Sequence, residues 1–550
     1  MSSTKQLNQD LYDTYVKEGI KKANKLAYRE AENDFLEAIA LDKKNQTAYI
    51  NLSNIYLIQR KINNSVKILM QYIKKNDFHE SIINHTSKIL HNYKYNKELL
   101  HLFDLTNLDS KKNYIKKTYL YFIQGLHFKR EEKYINSKES FSRSISCNKY
   151  FFESYTQLFD LYEQTNEFDK FNKLLKVSFK NFKDKKHTDI LLLYKSLILN
   201  RRKKFNESQE IITNNNLYFA IKNNKYFYTK LLDLETKNNE SLKNYQIAFQ
   251  KINERNNILS SLPENKKFDS KNIYNSISKY KIFFNKKNLD KIYSRISYHN
   301  DNNLVFLVGF PRSGTTLLDS ILRSHSKISV LEEKPYLLNL RHEFFKQNNN
   351  DLSSLLNITQ NVKDKIRNSY FKKINSNKTN KKRIIIDKFP LTIIELGFVK
   401  CIFPNAKIIL ALRHPCDVII SCYFSSFKIN DAMVNFLNWN NTINFYDEVF
   451  NLFEIYKNEL NLEYLIVKYE DVICDLKSKA KEISRYLDIK YEDSMEKFYI
   501  TARNRSKIST PSYSQVINPI YKSSVDRWKN YPNAEDMKNR LSKWIKKFNY

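Results

Sequence analysis

Two hydrophobic periods divide this chain of 550 residues. Up to about residue 260, the pattern of apolar and polar positions suits continuous helices joined by short polar turns. From Leu304 onward, short β-rich runs alternate with helical stretches, which is the signature of a parallel α/β sheet. Leu304-Val-Phe-Leu-Val308 predicts a buried strand. It runs into the loop Gly309-Phe-Pro-Arg-Ser-Gly-Thr-Thr316 and then an amphipathic helix with Leu317, Leu318, Ile321 and Leu322 on one face. Further strands are expected at Arg383–Asp387, at Lys407–Leu412, followed by the helix Val418–Phe424, and at Leu465–Lys468. Residues 261–300 are polar and rich in Lys and Asn, and predict a connector with some helix.

The helical part repeats itself. Tyr15-x3-Gly19 recurs as Tyr121-x3-Gly125; Phe35, Ile39, Tyr49, Leu52 and Tyr56 recur as Phe141, Ile145, Tyr155, Leu158 and Tyr162. Every pair stands 106 residues apart, close to three units of a repeat of roughly 34 residues. Glu30–Asp42 resembles the second helix of a tetratricopeptide repeat and Thr47–Tyr56 the first helix of the next. Stretches around Tyr194–Ile212 and Tyr226–Phe249 look helical but degenerate. An unrelated helical bundle is the alternative. Stacked helix pairs make a concave surface, so binding or dimerisation is the expected role of residues 1–260.

Composition sharpens the division. There are only five glycines, and two of them, Gly309 and Gly314, frame one loop. All nine prolines lie between Pro263 and Pro532, so none interrupts the helical repeats. Apolar content of 41% excludes a disordered chain. No apolar run is long enough for a membrane span, and the first residues carry no secretory signal. The net charge of +34 is spread out, +22 over residues 1–300 and +12 over 301–550, with no nucleic-acid-binding signature. Five cysteines without CxxC or metal-ligand spacing point to no metal and to the cytoplasm.

Candidate chemistry begins at the glycine loop. A strand, a glycine loop and a helix N-terminus converge backbone N–H groups and the helix dipole on an anion. The spacing Gly309-x4-Gly314 equals that of a Walker A loop, yet Thr315 stands where the phosphate-binding lysine belongs. This weighs against a nucleotide triphosphatase, and Arg312 supplies a cation from within the loop instead. Arg312, Glu333, Lys388, Arg413 and Tyr469 all fall at or just beyond the C-terminal ends of predicted strands, the edge where open parallel sheets bind ligands.

Pro311-Arg-Ser-Gly-Thr-Thr-Leu-Leu318 resembles the 5′-phosphosulfate loop of sulfotransferases that use 3′-phosphoadenylyl sulfate (PAPS). Its form is most similar to tyrosylprotein sulfotransferases and to bacterial sulfotransferases with tetratricopeptide repeats, over residues 303–532. The resemblance implies a solenoid at 1–260 and, at 301–550, a P-loop-like α/β sulfotransferase domain around a central parallel sheet. It implies PAPS as co-substrate, held by Arg312, Ser313, Gly314, Thr315 and Thr316 at the 5′ end. Arg413 and Ser421 match the motif for the 3′-phosphate, and Tyr469 opens the Tyr-Glu-Asp segment. Ser512, Tyr521, Lys522 and Ser524 fall in the segment that closes over the cofactor, where Trp528 is a packing anchor. Lys388 corresponds to the lysine facing the transferring group. Glu333 corresponds to the base, with Glu332 in reserve because Leu331 replaces the family's glycine. The implied reaction is sulfuryl transfer to an acceptor hydroxyl, protein tyrosine or a saccharide, with the repeats binding acceptor or partner or making a homodimer. A repeat scaffold with an inactive nucleotide fold and a P-loop kinase are the rival readings.

Overall fold

A computed structural model describes residues 2–76, 79–106, 114–293, 303–375, 384–460, 462–503, 518–520 and 524–550. The chain separates into two compact units, Met1–Leu191 and Leu192–Tyr550.

The first unit is all helical. Its helices are α1 (Ser2–Asn24), α2 (Tyr28–Leu41), α3 (Gln46–Ile58), α4 (Ile62–Lys75), α5 (Glu80–Asn92), α6 (Asn96–Leu105), α7 (Tyr114–Arg130), α8 (Tyr134–Cys147), α9 (Phe152–Gln164) and α10 (Phe168–Asn181). They pair in order, and each first helix ends the same way. Leu26, Arg60, Lys94, Glu132 and Asn166 adopt left-handed backbone, and the next amide bonds back to a carbonyl five residues earlier, as Ala27 N does to Lys22 O and Lys61 N to Tyr56 O. This is the Schellman stop, which normally favours glycine because a side chain in that conformation costs about 1 kcal/mol. Here it recurs without glycine, at Leu26, Arg60 and Lys94 with a 34-residue period. The expected repeat is therefore present, and its turns tolerate the shortage of glycine.

Gly19 and Gly125 repay the comparison of their registers. A Cβ at Gly19 would lie 2.8 Å from the Phe35 ring, and one at Gly125 would lie 2.5 Å from the Phe141 ring. The missing side chain admits a phenylalanine ring of the paired helix, rather than a neighbouring backbone. Both members of the repeated Gly–Phe pair are thus one packing device used twice.

Helix α11 (Lys185–Arg201) crosses into the second unit, followed by α12 (Phe205–Asn214), α13 (Leu217–Ile221), α14 (Lys225–Ser241), α15 (Tyr245–Ser261), α16 (Pro263–Lys266), α17 (Ser270–Phe283) and α18 (Lys286–Tyr293). Residues 261–293, expected as a connector, are largely helical. Their Ile277, Tyr280, Phe283 and Phe284 join Phe249 and Ile252 of α15 in the core that covers one face of the sheet. Gly397 faces another helical segment: a Cβ there would meet the Phe284 ring at 2.3 Å.

The sheet has five parallel strands, β1 (Leu304–Gly309), β2 (Ile328–Glu332), β3 (Ile384–Lys388), β4 (Lys407–Leu412) and β5 (Tyr464–Lys468), in the order β2-β3-β1-β4-β5. Alternate residues serve opposite faces. Leu304, Phe306 and Val308 enter the large core with Ile408 and Leu410, whereas Val305 and Leu307 join Ile409, Ile386 and Val330 on the other side. Burial on both faces explains why β1 and β4 read as nearly unbroken apolar runs. Around the sheet stand α19 (Thr315–Arg323), α20 (Tyr336–Gln347), α21 (Gln360–Asn375), α22 (Leu396–Ile402), α23 (Pro415–Tyr423), α24 (Trp439–Glu459) and α25 (Tyr469–Cys474). The chain moves to one side after β1 and to the other after β3, so the topological switch lies between β1 and β4.

Candidate active site

Every strand delivers a candidate residue to the same edge. The pairing registers set Glu332 beside Lys388, Gly309 beside Ala411 and Leu412 beside Lys468. The ends of β2, β3, β1, β4 and β5 therefore present Glu333, Lys388, the glycine loop, Arg413 and Tyr469 in that lateral order.

The loop after β1 is built around two glycines that cannot be replaced without strain. A Cβ on Gly309 would press on the Ala411 carbonyl oxygen at 2.5 Å. Gly314 has φ +93° and precedes the first turn of α19, where a Cβ would stand 2.9 Å from the Tyr469 ring. Between them Arg312 also takes left-handed backbone, φ 70°. That conformation is uncommon for a long side chain and clusters at functional sites. Arg312 Nε donates to Ser421 Oγ of α23 at 2.9 Å. Ser313, Thr315 and Thr316 are buried at the N-terminus of α19.

Arg413 closes the other side of the switch. Its guanidinium lies 4.9 Å from the Tyr469 ring centroid, a cation–π distance, while Nη1 donates to Arg312 O at 3.4 Å and Nη2 to Ser524 O at 2.5 Å. Arg413 Nε is buried with no hydrogen-bond partner among the described residues. Asp417, one turn further on, stands 3.9 Å from Nη2 and accepts the amides of Asp526 at 2.9 Å and Trp528 at 3.1 Å. Burial pushes the Asp417 carboxyl up against the pull of Arg413. His414 stacks on Trp528 with centroids 5.2 Å apart, and burial lowers its imidazole to about 4, so it packs as a neutral ring.

At the far side, Lys388 is fully buried and donates from Nζ to Glu333 Oε1 at 2.8 Å. Glu332 Oε1 is further away, 3.7 Å from the same nitrogen. The Glu333 side chain is 32% exposed and that of Glu332 9%, so the residue nearer the lysine is also the more accessible. Leu331 is an ordinary strand residue paired with Asp387; the left-handed position falls two residues later, at Glu333 itself, φ 49°. The segment needs no glycine because the turn follows the strand instead of interrupting it.

The family model described as "Sulfotransferase family" matches residues 305–493. This chain carries a sulfotransferase-family domain. An uncharacterised protein of Aquifex aeolicus is 28% identical over 248 residues, 42% of this chain and 31% of that one. Protein-tyrosine sulfotransferase A of Caenorhabditis elegans is 26% identical over 254 residues, 44% of this chain and 64% of the relative. The chain thus spans less than two thirds of the length of each of these two relatives. Among solved structures, the sulfotransferase domain of the Synechococcus PCC 7002 olefin synthase is 22% identical, over 46% of this chain and 98% of that one, with a TM-score of 0.33.

Within the sulfotransferase domain, contacts link Arg312, Gly314, Arg413, Ser421, Tyr469 and Ser524 into one cluster and Lys388, Glu332 and Glu333 into another. Ser524 takes part through its backbone carbonyl. Ser512, Tyr521 and Lys522 lie outside the described residues. Sequence reasoning gave Asp417 no role, although it ties the loop at 526–528 to α23. It also passed over Glu470, which accepts from His414 N at 2.9 Å and from the Tyr550 hydroxyl at 2.8 Å. Both sit inside motifs already singled out, and for Asp417 the available signal is a carboxylate one helical turn after Arg413. Among the described residues no helix is long and apolar enough to cross a membrane.

Proposed function

We propose that the chain transfers a sulfuryl group from PAPS to an acceptor hydroxyl, with protein tyrosine as the first acceptor to test. The observation that carries this reading is the bond from buried Lys388 to the accessible Glu333 at the strand edge, on the same sheet edge as a glycine loop holding an arginine but no Walker lysine. The residues present suit an adenosine bisphosphate. The first turn of α19 offers backbone N–H groups, Arg312 lies beside Ser421, and Arg413 stands 3.9 Å from the Asp417 carboxylate. Arg413 Nε, without a hydrogen-bond partner among the described residues, supplies a buried donor that an anion can satisfy.

PAPS supplies, when bound, a sulfuryl group activated by a 5′-phosphate leaving group. Glu333 accepts the proton of the incoming hydroxyl at Oε1 or Oε2. Lys388, buried and already aimed at that carboxylate, orients it and places a fixed positive charge beside the reacting centre. Arg312 and the amides of Ser313 to Thr316 neutralise the 5′ side, while Arg413 and Ser421 hold the 3′-phosphate. Transfer of this kind rests mainly on positioning and charge stabilisation.

The name of the nematode relative supports tyrosine as acceptor, and a saccharide is the other candidate. The helical repeats of the first unit would bind acceptor or partner, or form a homodimer. Cytoplasmic residence belongs to the same reading, motivated by five cysteines without disulfides. Thr315 in the lysine position disfavours the kinase reading. An acceptor panel with isotopically labelled PAPS tests the proposal: label should reach a hydroxyl acceptor with wild type and be lost with Glu333→Gln. No transfer to tyrosine peptides, saccharides or small phenols by folded protein would contradict it.

A further inference from the structure

Helix α15 reaches the candidate nucleotide site through one buried cation. Arg255 is 2% exposed, and its guanidinium is saturated. Nη1 donates to Asp233 Oδ1 at 2.6 Å and Ser426 Oγ at 3.0 Å. Nη2 donates to Asn256 Oδ1 at 2.7 Å, Ser425 O at 3.2 Å and Tyr423 O at 3.4 Å, and Nε to Asn256 Oδ1 at 3.1 Å. Asn256 Nδ2 gives Tyr423 O a second bond at 3.1 Å, and the Tyr423 hydroxyl donates to Asn253 Oδ1 at 2.7 Å. Three residues of α15 thus grip the last residue of α23 and the turn after it.

A buried arginine is an expensive way to join two helices, since apolar side chains pack there at less cost in desolvation. What the arginine adds is a fixed position. A helix leaves its last carbonyls without partners, and a cation there is favoured by the helix dipole. Arg255 meets the carbonyls of Tyr423 and Ser425 directly. Ser425 Oγ in turn donates to Ser421 O at 2.6 Å, and Ser421 Oγ accepts from Arg312 Nε at 2.9 Å. A continuous chain of bonds therefore runs from Asp233 and Arg255 to the hydroxyl facing the glycine loop. The opposite wall is held in a similar way: Glu240 of α14 pairs with Arg527 and accepts the Tyr531 hydroxyl at 2.5 Å, next to the Asp526 amide that Asp417 holds.

We infer that Arg255 is a positioning residue for the 3′-phosphate pocket, fixing the placement of α23 so that Ser421 Oγ stays in register with Arg312 and Arg413. This rests on the nucleotide reading above, and it makes helices α14 and α15 part of the machinery that selects the 3′-phosphate.

Calorimetric titration of the full chain with 3′,5′-ADP and with 5′-AMP, which lacks the 3′-phosphate, separates positioning from general stability. Wild type should prefer 3′,5′-ADP. Arg255→Met should cut that preference at least tenfold while leaving 5′-AMP affinity within about twofold. Arg255→Lys keeps a charge for Asp233 but loses the fork to the carbonyls, and should cut the preference at least threefold; it also serves if the methionine variant does not fold. Equal weakening of both nucleotides, or no change in either variant, overturns the inference. A wild type that does not prefer 3′,5′-ADP overturns the nucleotide reading first, and that result is visible without any substitution.

Discussion

Lys388 and Glu333 are joined twice: Nζ donates to Oε1 at 2.8 Å, and the Glu333 amide returns a bond to the Lys388 carbonyl at 2.8 Å. The side-chain bond aims a carboxylate, and the backbone bond fixes the turn from which it projects. Together they hold the ends of β2 and β3 in one arrangement.

Glu333→Gln should lower the rate of sulfuryl transfer by about 10²–10⁴-fold, the usual range for loss of a general base. Affinity for 3′,5′-ADP should change little, because Glu333 belongs to a different contact cluster from Arg413. Glu332→Gln, at 3.7 Å from Lys388, should cost far less. Initial rates with PAPS and a fixed acceptor decide between them; equal losses would remove the distinction between the two carboxylates.

Gly314→Ala should damage the nucleotide loop. The backbone is left-handed and the new methyl group would press on Tyr469, so a loss on the order of 1–3 kcal/mol is expected. Denaturant unfolding measures the stability part, and titration with 3′,5′-ADP the binding part. Wild-type values in both would show that the loop has room.

Gly125→Ala should destabilise the first unit by about 1–3 kcal/mol through overpacking against Phe141. Shortening the ring with Phe141→Leu in the same chain should recover part of that loss. Double-mutant analysis of urea unfolding checks it, and strict additivity of the two substitutions would contradict the proposed contact.

Sequence made much of this architecture legible. Periodicity separated helices from sheet, Gly309 and Gly314 marked the loop, and Lys388 and Arg413 stood at strand ends as expected. Glu333 lies just beyond the end of β2, where the register puts it despite Leu331, because the turn comes after the strand. Other features depend on long-range packing that no local pattern carries. Arg255 sits in a polar helix and looks like a surface residue, yet it is buried because Asp233 and the end of α23 meet it from elsewhere in the chain. Gly397 similarly owes its role to Phe284, over a hundred residues earlier.

Stability should depend on pH through Asp387. Its carboxyl is fully buried, accepts the Tyr370 hydroxyl at 2.5 Å, and is pushed by burial from its ordinary 3.8 to about 7, against the opposing pull of Tyr370 and Lys388. Between those values the folded chain keeps a proton that the unfolded chain has released. This contribution is therefore complete below about pH 4 and lost as pH rises through about 7. Asp387→Asn should gain stability relative to wild type as pH increases from about 5 to about 8. Thermal unfolding across that range tests it; a constant difference would show that Asp387 ionises normally in the fold.

The most direct test of the central claim is calorimetry with two nucleotides. Folded wild-type chain should bind 3′,5′-ADP without added metal and more tightly than ATP with Mg²⁺, and Arg413→Ala should weaken 3′,5′-ADP at least tenfold. Preference for ATP with Mg²⁺, or no binding of 3′,5′-ADP at all, would contradict the assignment of this site to sulfuryl transfer.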